Sequence, residues 1–204
     1  MAQNIAARID LIKRGKLLEY FTIGWNLLEA VVAVGLGILA GSVALVGFGI
    51  DSLIECLSGS ILLWRLGDES DAREKIAIRL VGGSFIILAG YVTFDALKAL
   101  IYKEAPETSY VGIALAIVSI LIMPLLARAK KDVGEKLNSR AMVADSKQTN
   151  ICAYLSVILL GGLVLNGVFG WWWADPVAAL IMIPIIVKEG IEGLRGEVCE
   201  DGCH

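Results

Sequence analysis

Six long apolar runs dominate this chain, and each approaches or exceeds the roughly 20 residues that an α-helix needs to cross a bilayer core. Backbone groups in lipid must be hydrogen-bonded within their own segment, so these runs predict helices rather than strands. The hydrophobic content of 57% lies above the roughly 45–50% of a soluble domain. We therefore predict an all-α integral membrane protein with six transmembrane helices, both termini being cytoplasmic. The predicted spans are 17–40, 42–65, 77–102, 110–127, 142–170 and 175–194.

These spans define three parts: a cytoplasmic N-terminal segment at 1–16, a six-helix transmembrane domain at 17–194, and a short cytoplasmic tail at 195–204. Lysine and arginine favour the cytoplasmic side of a membrane. Here they cluster at both ends of the chain, in the segment between spans two and three, and in the segment between spans four and five. The opposite side has only Lys98 and Lys103, so both termini are placed in the cytoplasm. We expect Trp171–Trp173 to lie in an interfacial aromatic belt at the far end of span five.

The segment GIDSLIECLSG, residues 49–59, places two carboxylates inside an uncharged stretch. Asp51 and Glu55 are four residues apart and therefore share a helix face. A charged group at mid-bilayer costs roughly 2.5–3.5 kcal/mol on insertion scales. A divalent cation between the two acids, or protons on them, would remove both their repulsion and this desolvation cost. The alternative is a structural pair facing a base, for which Lys147 is the only candidate near a span interior.

Span five repeats this spacing with different side chains. Asp145, Gln148 and Cys152 follow one another at steps of three and four residues, which places them on one helical stripe. A shift of 97 residues superimposes the two segments, pairing Asp51 with Gln148 and Glu55 with Cys152. We predict that these helices face one metal site, although a lone cysteine in a helix is more often a small core residue.

Two further groups of polar residues are candidates for metal binding. Asn26 and Glu29 share a face of span one, where they would extend the site or line the path to it. The tail CEDGCH contains Cys199, Cys203 and His204, whose thiolates and imidazole suit soft or borderline metals. The alternative for the tail is a terminus with incidental cysteines. The four cysteines form no regular framework, and we predict no structural disulfide.

Several classes of function are excluded by what the sequence lacks. The net charge of −3 does not favour a nucleic-acid partner. No nucleophile is paired with a base, no loop is suited to cradle phosphate, and the single histidine is the last residue. We therefore predict that the protein is not an enzyme.

Three stretches resemble the cation diffusion facilitator family of divalent-metal transporters. The first, WNLLEAVVAVGLGILAGSVALVGFGIDSLIE, covers spans one and two. The second, ADSKQTNICAYLSVILL, lies at the start of span five, and the third, WADPVAALIMIPIIVKEGIEGLR, covers span six. The resemblance implies a tetrahedral site formed by Asp-x-x-x-Asp in span two and His-x-x-x-Asp in span five. By position, these four residues correspond to Asp51, Glu55, Gln148 and Cys152. Both span-five residues depart from the family pattern, and we expect no counterpart of the family's cytoplasmic C-terminal domain after span six.

The resemblance implies a secondary transporter that moves a divalent cation out of the cytoplasm, in exchange for protons, as a homodimer. Zn²⁺ is the expected ion, with Cd²⁺, Co²⁺, Mn²⁺ and Fe²⁺ as alternatives. Asp145 is expected to act as a third carboxylate ligand, beside Asp51 and Glu55. No cofactor other than the transported ion is expected. The expected location is the inner membrane of a bacterium, with the lipid bilayer as surroundings. The alternative function is a metal-binding or metal-sensing membrane protein that transports nothing.

Overall fold

The computed structural model describes residues 2–65 and 71–195, with side chains at 8–64, 79–139 and 142–195. The described residues form six α-helices and no strand. The helices are α1 (Ala2–Ala40), α2 (Val43–Arg65), α3 (Asp71–Tyr102), α4 (Tyr110–Leu137), α5 (Arg140–Phe169) and α6 (Ala174–Arg195).

Five of these helices, α1 to α5, are long and apolar enough to cross a membrane. The sixth, α6, has 22 residues but contains Asp175 near its start and Lys188 and Glu189 near its end. The all-helical prediction is confirmed, and the chain is a multi-pass membrane protein. The crossing by α6 and the cytoplasmic position of both termini stay predictions.

Helix α4 is longer than the sequence predicted, because it continues to Leu137 instead of ending at 127. Hydropathy places its end at Arg128, where charged residues begin, but the backbone remains helical until Asn138 adopts a left-handed conformation with φ of 53°. The predicted basic loop between spans four and five is therefore largely helix. As a result, most of the basic residues assigned to that loop lie on α4. They point to different faces of the helix, and one of these faces is buried.

The start of α6 also differs from the prediction, which began this span at residue 175. The helix begins at Ala174, and the Asp175 carboxylate instead accepts hydrogen bonds from Ser42 Oγ at 2.5 Å and from the Ala44 backbone N–H at 3.4 Å. Ser42 Oγ in turn accepts a hydrogen bond from the Leu45 N–H at 3.1 Å. Asp175 thus accepts hydrogen bonds from groups at the start of α2, where backbone N–H groups have no partner within the helix. The start of α2 therefore lies next to α6 in space.

The helices pack most extensively in three pairs, α1 with α2, α4 with α5, and α3 with α6. Helix α2 also contacts α3, α5 and α6, so it lies at the centre of the bundle. Glycines permit the closest approaches: a Cβ on Gly49 would lie 2.8 Å from the Val34 backbone nitrogen, and one on Gly82 would lie 2.6 Å from that of Leu194. The α1–α2 and α3–α6 pairs are therefore in near backbone contact.

The α5–α6 turn carries an aromatic cluster formed by Phe169, Trp171 and Trp173. The ring centroids of Phe169 and Trp171 are 5.5 Å apart, and those of Trp171 and Trp173 are 5.1 Å apart. All three side chains are exposed, as expected for rings at a membrane interface. This position agrees with an aromatic belt beyond the end of α5.

Candidate functional site

The interior of the bundle contains more acids than bases. Besides Asp175, which is hydrogen-bonded to the start of α2, five of its carboxylates are buried, while Lys130 is the one buried basic side chain in the described part of the chain. Unpaired charges are too costly to keep in a low-dielectric interior, so they are neutralised by protons, bases or bound cations. The bundle therefore requires cations or protons beyond those that its own bases supply. The five acids are Glu19, Glu29, Asp51, Glu55 and Asp145.

Lys130 is the centre of a buried ion-pair network. Its Nζ lies 2.5 Å from a carboxylate oxygen of Asp145 on α5 and 3.1 Å from one of Glu19 on α1. It also donates a hydrogen bond of 3.2 Å to the hydroxyl of Thr149. This one ammonium group consequently joins α1, α4 and α5, and two of the five buried acids have it as their partner.

Thr149 connects this network to α2. Its hydroxyl donates a hydrogen bond of 2.7 Å to Oε1 of Glu55 while it accepts the one from Lys130. Ser58, one turn below Glu55 on α2, is 3.5 Å from Asp145. Glu55 is therefore held at one oxygen by α5, whereas its other oxygen, Oε2, is buried without a hydrogen-bond partner.

Asp51 lies on α2, one turn from Glu55, and is 6% exposed. It forms no hydrogen bond or ion pair with the described residues. The charged groups that act on it are the carboxylates of Glu55, Glu29 and Glu189. Asp51 is thus surrounded by like charges, which is the environment in which a cation is bound most favourably.

Two residues of α5 were predicted to bind metal together with the two acids of α2. Cys152 lies close to these acids, whereas Gln148 lies less close to them. Cys152 is 1% exposed, and its thiol lies against the carboxylate of Glu55. Gln148 is half-buried, and its amide nitrogen is buried without a partner. The buried polar face of α5 passes through Asp145, Thr149 and Cys152, so Gln148 lies at its edge.

No three His, Cys, Asp or Glu residues among those described are grouped so that they would hold one metal ion. Asp51, Glu55 and Cys152 therefore share a region of the interior without forming a closed set of ligands in this conformation. The third predicted carboxylate, Asp145, is engaged with Lys130. Cys56 and Cys152 are free thiols, and the thiol of Cys56 donates to the backbone carbonyl of Ile23 at 3.5 Å.

The two candidates on α1 belong to a longer polar stripe. Glu19, Thr22, Asn26 and Glu29 follow one another at helical spacing, and all four are fully buried. Glu29 accepts hydrogen bonds from Ser52 on α2 at 3.3 Å and from Ser119 on α4. Both side-chain polar atoms of Asn26 are buried without a partner.

The structure corrects the sequence interpretation of the basic residues. Lys147, predicted to be the only base near a span interior, is exposed, and Lys130 is the buried base. The sequence also missed Thr149. A signal for Lys130 was present, because it follows the buried Ser119 and Met123 at helical spacing. The tail candidates Cys199, Cys203 and His204 lie outside the described residues.

Part of the chain matches a known family of membrane domains. The profile of the cation efflux transmembrane domain matches residues 71–197, which is more than half of the chain and covers α3 to α6. Helices α1 and α2, which carry Glu29, Asp51 and Glu55, precede the matched region.

Relatives match a longer part of the chain at low identity. An uncharacterized transporter of Methanocaldococcus jannaschii is 29% identical over 80% of this chain and 61% of its own length. Transmembrane protein 163 of Xenopus laevis is 26% identical over 91% of this chain and 68% of its own length. A cadmium, cobalt and zinc/H⁺–K⁺ antiporter of Bacillus velezensis is 25% identical over 94% of this chain and 62% of its own length. The chain thus spans about two thirds of these relatives. On the strength of the domain match, it belongs to the cation efflux transmembrane domain family, the cation diffusion facilitators.

Proposed function

We propose that this protein is a secondary transporter that moves a divalent metal cation out of the cytoplasm, in exchange for protons. The observation that carries the proposal is the excess of buried acids, of which Asp51 has no base near it. One divalent cation or two protons would neutralise Asp51 and Glu55 equally well. Such competition for the same carboxylates is the simplest way to couple metal release to proton uptake.

The proposed ligands are Asp51, Glu55 and Cys152, with Gln148 as a neutral oxygen donor. Glu55 has a free oxygen, and Cys152 lies against the same carboxylate. One thiolate with two carboxylates suits Zn²⁺ or Cd²⁺, while Co²⁺, Mn²⁺ and Fe²⁺ are weaker alternatives. Binding requires the side chains of Asp51, Glu55 and Cys152 to rearrange from this conformation, so that they surround the ion. In this proposal Asp145 supports the site through Lys130 and is not itself a ligand.

The proposed topology has six crossings, with α6 in the membrane and both termini in the cytoplasm. It is supported by the lysine and arginine bias of the sequence and by the packing of α6 along α3. The name of the antiporter from Bacillus velezensis supports cadmium, cobalt, zinc, proton and potassium as candidate ions. A homodimer in a bacterial inner membrane completes the proposal.

Metal flux into proteoliposomes tests it directly. Purified protein is reconstituted with a metal-sensitive dye inside the vesicles, and Zn²⁺, Cd²⁺, Co²⁺ and Mn²⁺ are added outside with and without a pH gradient. We expect flux that increases when the vesicle interior is acidic. Asp51→Asn and Glu55→Gln keep the side-chain shapes but remove the charges, and each is expected to lower the flux at least about tenfold.

Asp132→Asn is the matched control, since Asp132 is a partly exposed acid of α4 that pairs with Lys136 at 2.7 Å. It should transport at the rate of the unaltered protein. If the Asp51 and Glu55 variants transported all four metals at that rate too, the assignment of the site would be wrong. Metal binding at fixed stoichiometry without flux would instead support a metal-binding or metal-sensing protein.

A further inference from the structure

Asn26 lies on the polar stripe of α1 without a polar partner among the described residues. Its side chain is fully buried, and neither its amide oxygen nor its amide nitrogen forms a hydrogen bond. Its neighbours on the stripe differ, since Glu19 pairs with Lys130 and Glu29 accepts hydrogen bonds from two serines. A buried amide without partners lowers the stability of a fold, and such groups are typical of functional sites.

The contacts between α1 and α2 place Asn26 at the level of Glu55. These two helices are joined by a short turn and run antiparallel. The hydroxyl of Ser52 on α2 is 3.3 Å from the carboxylate of Glu29 on α1. Asn26 is three residues before Glu29, and Glu55 is three residues after Ser52. In an antiparallel pair both steps lead about 4.5 Å in the same direction, and each residue stays on the same face of its helix.

The contact one turn further along these helices agrees with this level, because the thiol of Cys56 donates to the Ile23 carbonyl at 3.5 Å. Asn26 and Glu55 thus lie between two contacts of the same helix pair. Glu55 is itself incompletely bonded, since Oε1 accepts from Thr149 on α5 whereas Oε2 is buried without a partner. Two buried groups without partners therefore lie at one level of the α1–α2 interface.

A divalent cation satisfies the oxygens of both groups. A carboxylate oxygen and an amide oxygen are both hydrogen-bond acceptors, so they do not bond to each other, but both are ligands for divalent metals. The alternative is a hydrogen bond from the Asn26 amide nitrogen to Oε2 of Glu55. Both of these atoms are without a hydrogen-bond partner, so the structure contains no such bond. The geometry therefore favours coordination of an ion by Asn26.

We propose that the amide oxygen of Asn26 is a ligand of the transported divalent cation, so that three helices, α1, α2 and α5, form the site. This role rests on the divalent-metal site proposed above, but it does not depend on transport. The added oxygen also affects which metals bind. Amide and carboxylate oxygens suit hard ions such as Mn²⁺, whereas the thiolate of Cys152 suits Zn²⁺ and Cd²⁺. Asn26 therefore widens the range of metals that the site accepts.

Titration of the full chain in nanodiscs with Co²⁺, Mn²⁺ and Cd²⁺ tests this proposal. We expect Asn26→Leu to weaken Co²⁺ and Mn²⁺ binding at least about tenfold, and to weaken Cd²⁺ binding less. The d–d absorption of bound Co²⁺ should change because a ligand is lost, while the charge-transfer band from the Cys152 thiolate should remain. Unchanged affinity for Co²⁺ and Mn²⁺, or an unchanged d–d spectrum of bound Co²⁺, would overturn the proposal.

Asn26→Asp distinguishes a metal ligand from a hydrogen-bond donor. Aspartate keeps an oxygen at this position but has no N–H group to donate. If Asn26 is a ligand, Asn26→Asp should bind Co²⁺ at least as tightly as the unaltered chain, since a carboxylate is the stronger ligand. Weakening equal to that of Asn26→Leu would show that residue 26 acts by donating a hydrogen bond to Glu55, and the proposal would be wrong.

Thermal unfolding without metal distinguishes binding from support of the fold. Asn26→Leu should unfold at the same or a higher temperature, because it removes an amide that forms no hydrogen bond. Asn166→Leu is the matched control, since Asn166 is also buried but donates to the Pro106 carbonyl at 2.9 Å. This control should unfold at a lower temperature and bind Co²⁺ within about twofold of the unaltered chain. Equal destabilisation by the two variants would make Asn26 a structural residue and contradict the proposal.

The ligand role and the transport function fail in distinguishable ways. Co²⁺ binding that Asn26→Leu weakens, without metal flux by the unaltered chain, would remove the transport function and leave Asn26 as a ligand. Metal flux and Co²⁺ binding that Asn26→Leu leaves unchanged would overturn the ligand role and leave the transport function in place.

Discussion

The hydroxyl of Thr149 donates a hydrogen bond of 2.7 Å to the carboxylate of Glu55. Because the same hydroxyl accepts a hydrogen bond from Lys130, the acid predicted to bind metal is linked to a buried ion-pair network on three other helices. We expect a cation that draws Glu55 toward Asp51 to weaken this bond. In that case the bond would oppose metal binding and couple it to the packing of α1, α4 and α5.

Thr149→Val tests this coupling, because valine has nearly the same shape and lacks the hydroxyl. Loss of the hydroxyl leaves Glu55 Oε1 without its donor, and we expect the free energy of unfolding to fall by about 1–3 kcal/mol. Metal should bind more tightly, since Glu55 is no longer held by α5. Thermal unfolding and metal titration in nanodiscs measure the two effects.

The control for this variant is Thr22→Val, as Thr22 is fully buried but its hydroxyl bonds to the Leu18 carbonyl of its own helix at 2.9 Å. We expect no change in metal affinity. Equal metal affinities in the two threonine variants would show that the Thr149 bond does not restrain Glu55.

Lys130→Met should be among the most destabilising substitutions in the chain. It leaves Glu19 and Asp145 buried without a cation, and breaking a buried pair in this way costs about 3–5 kcal/mol. The neighbouring Lys131→Met removes an exposed lysine that is 3.8 Å from Glu135, for which a change below about 1 kcal/mol is expected. Thermal unfolding of both variants, compared at one detergent concentration, checks this contrast.

Restoring charge balance should restore stability. The triple variant Lys130→Met with Glu19→Gln and Asp145→Asn has no unpaired charge in this network, and we expect it to unfold at a higher temperature than Lys130→Met alone. If the triple variant were the less stable of the two, the loss in Lys130→Met would not come from uncompensated charge.

The contact between α3 and α6 depends on Gly82. A Cβ at this position would lie 2.6 Å from the Leu194 backbone nitrogen and 2.8 Å from the Gly190 carbonyl oxygen. Backbone atoms cannot move aside as a flexible side chain does, so Gly82→Ala should lower the free energy of unfolding by about 1–3 kcal/mol. Chemical or thermal unfolding in a mild detergent provides the measurement.

Gly83 is a matched control one residue away, because a Cβ there meets no atom within 4 Å. Alanine is favoured over glycine within a helix by up to about 1 kcal/mol, so Gly83→Ala should be neutral or stabilising. A similar loss of stability in both variants would place the cause in the helix itself and not in the α3–α6 contact.

Ser42 ties the start of α2 to α6 through Asp175 at 2.5 Å and accepts from the Leu45 N–H. Ser42→Ala removes both interactions, and we expect it to cost about 1–2 kcal/mol, as for other N-cap residues. Ser60→Ala is the comparison, since the exposed Ser60 bonds only to Cys56 O within α2. Unfolding midpoints that do not differ between the two would show that this cap contributes nothing.

The sequence was sufficient to predict the helices, because long apolar runs leave few alternatives to a helical bundle. It was less informative where charge and helix geometry compete. Hydropathy ended span four at residue 127, before Arg128, although the aliphatic stem of Lys130 and its two acidic partners permit the lysine to be buried within the continuing helix. Asp175 shows the same limit, since its partner lies 133 residues away.

The candidate site was predicted in part. Asp51, Glu55 and Cys152 lie in one buried region, as the four-residue spacing indicated. The stripe assigned to α5 passed through Gln148, but steps of three and four residues from Asp145 are both compatible with one face. Only the packing of α5 against α2 selects Thr149 over Gln148, and a single sequence does not contain that information.

The glycine contact between α3 and α6 also limits how the bundle can rearrange. Where two backbones touch, no side chain can change rotamer to absorb a relative displacement, so we expect α3 and α6 to move as one rigid unit. The seams between α1 and α4 and between α2 and α5 are different, because hydroxyls, carboxylates and one long lysine chain join them. Such groups can exchange partners while the helices slide. Any opening toward either side of the membrane would thus follow the polar seams, with the α3–α6 pair as the fixed frame against which they move.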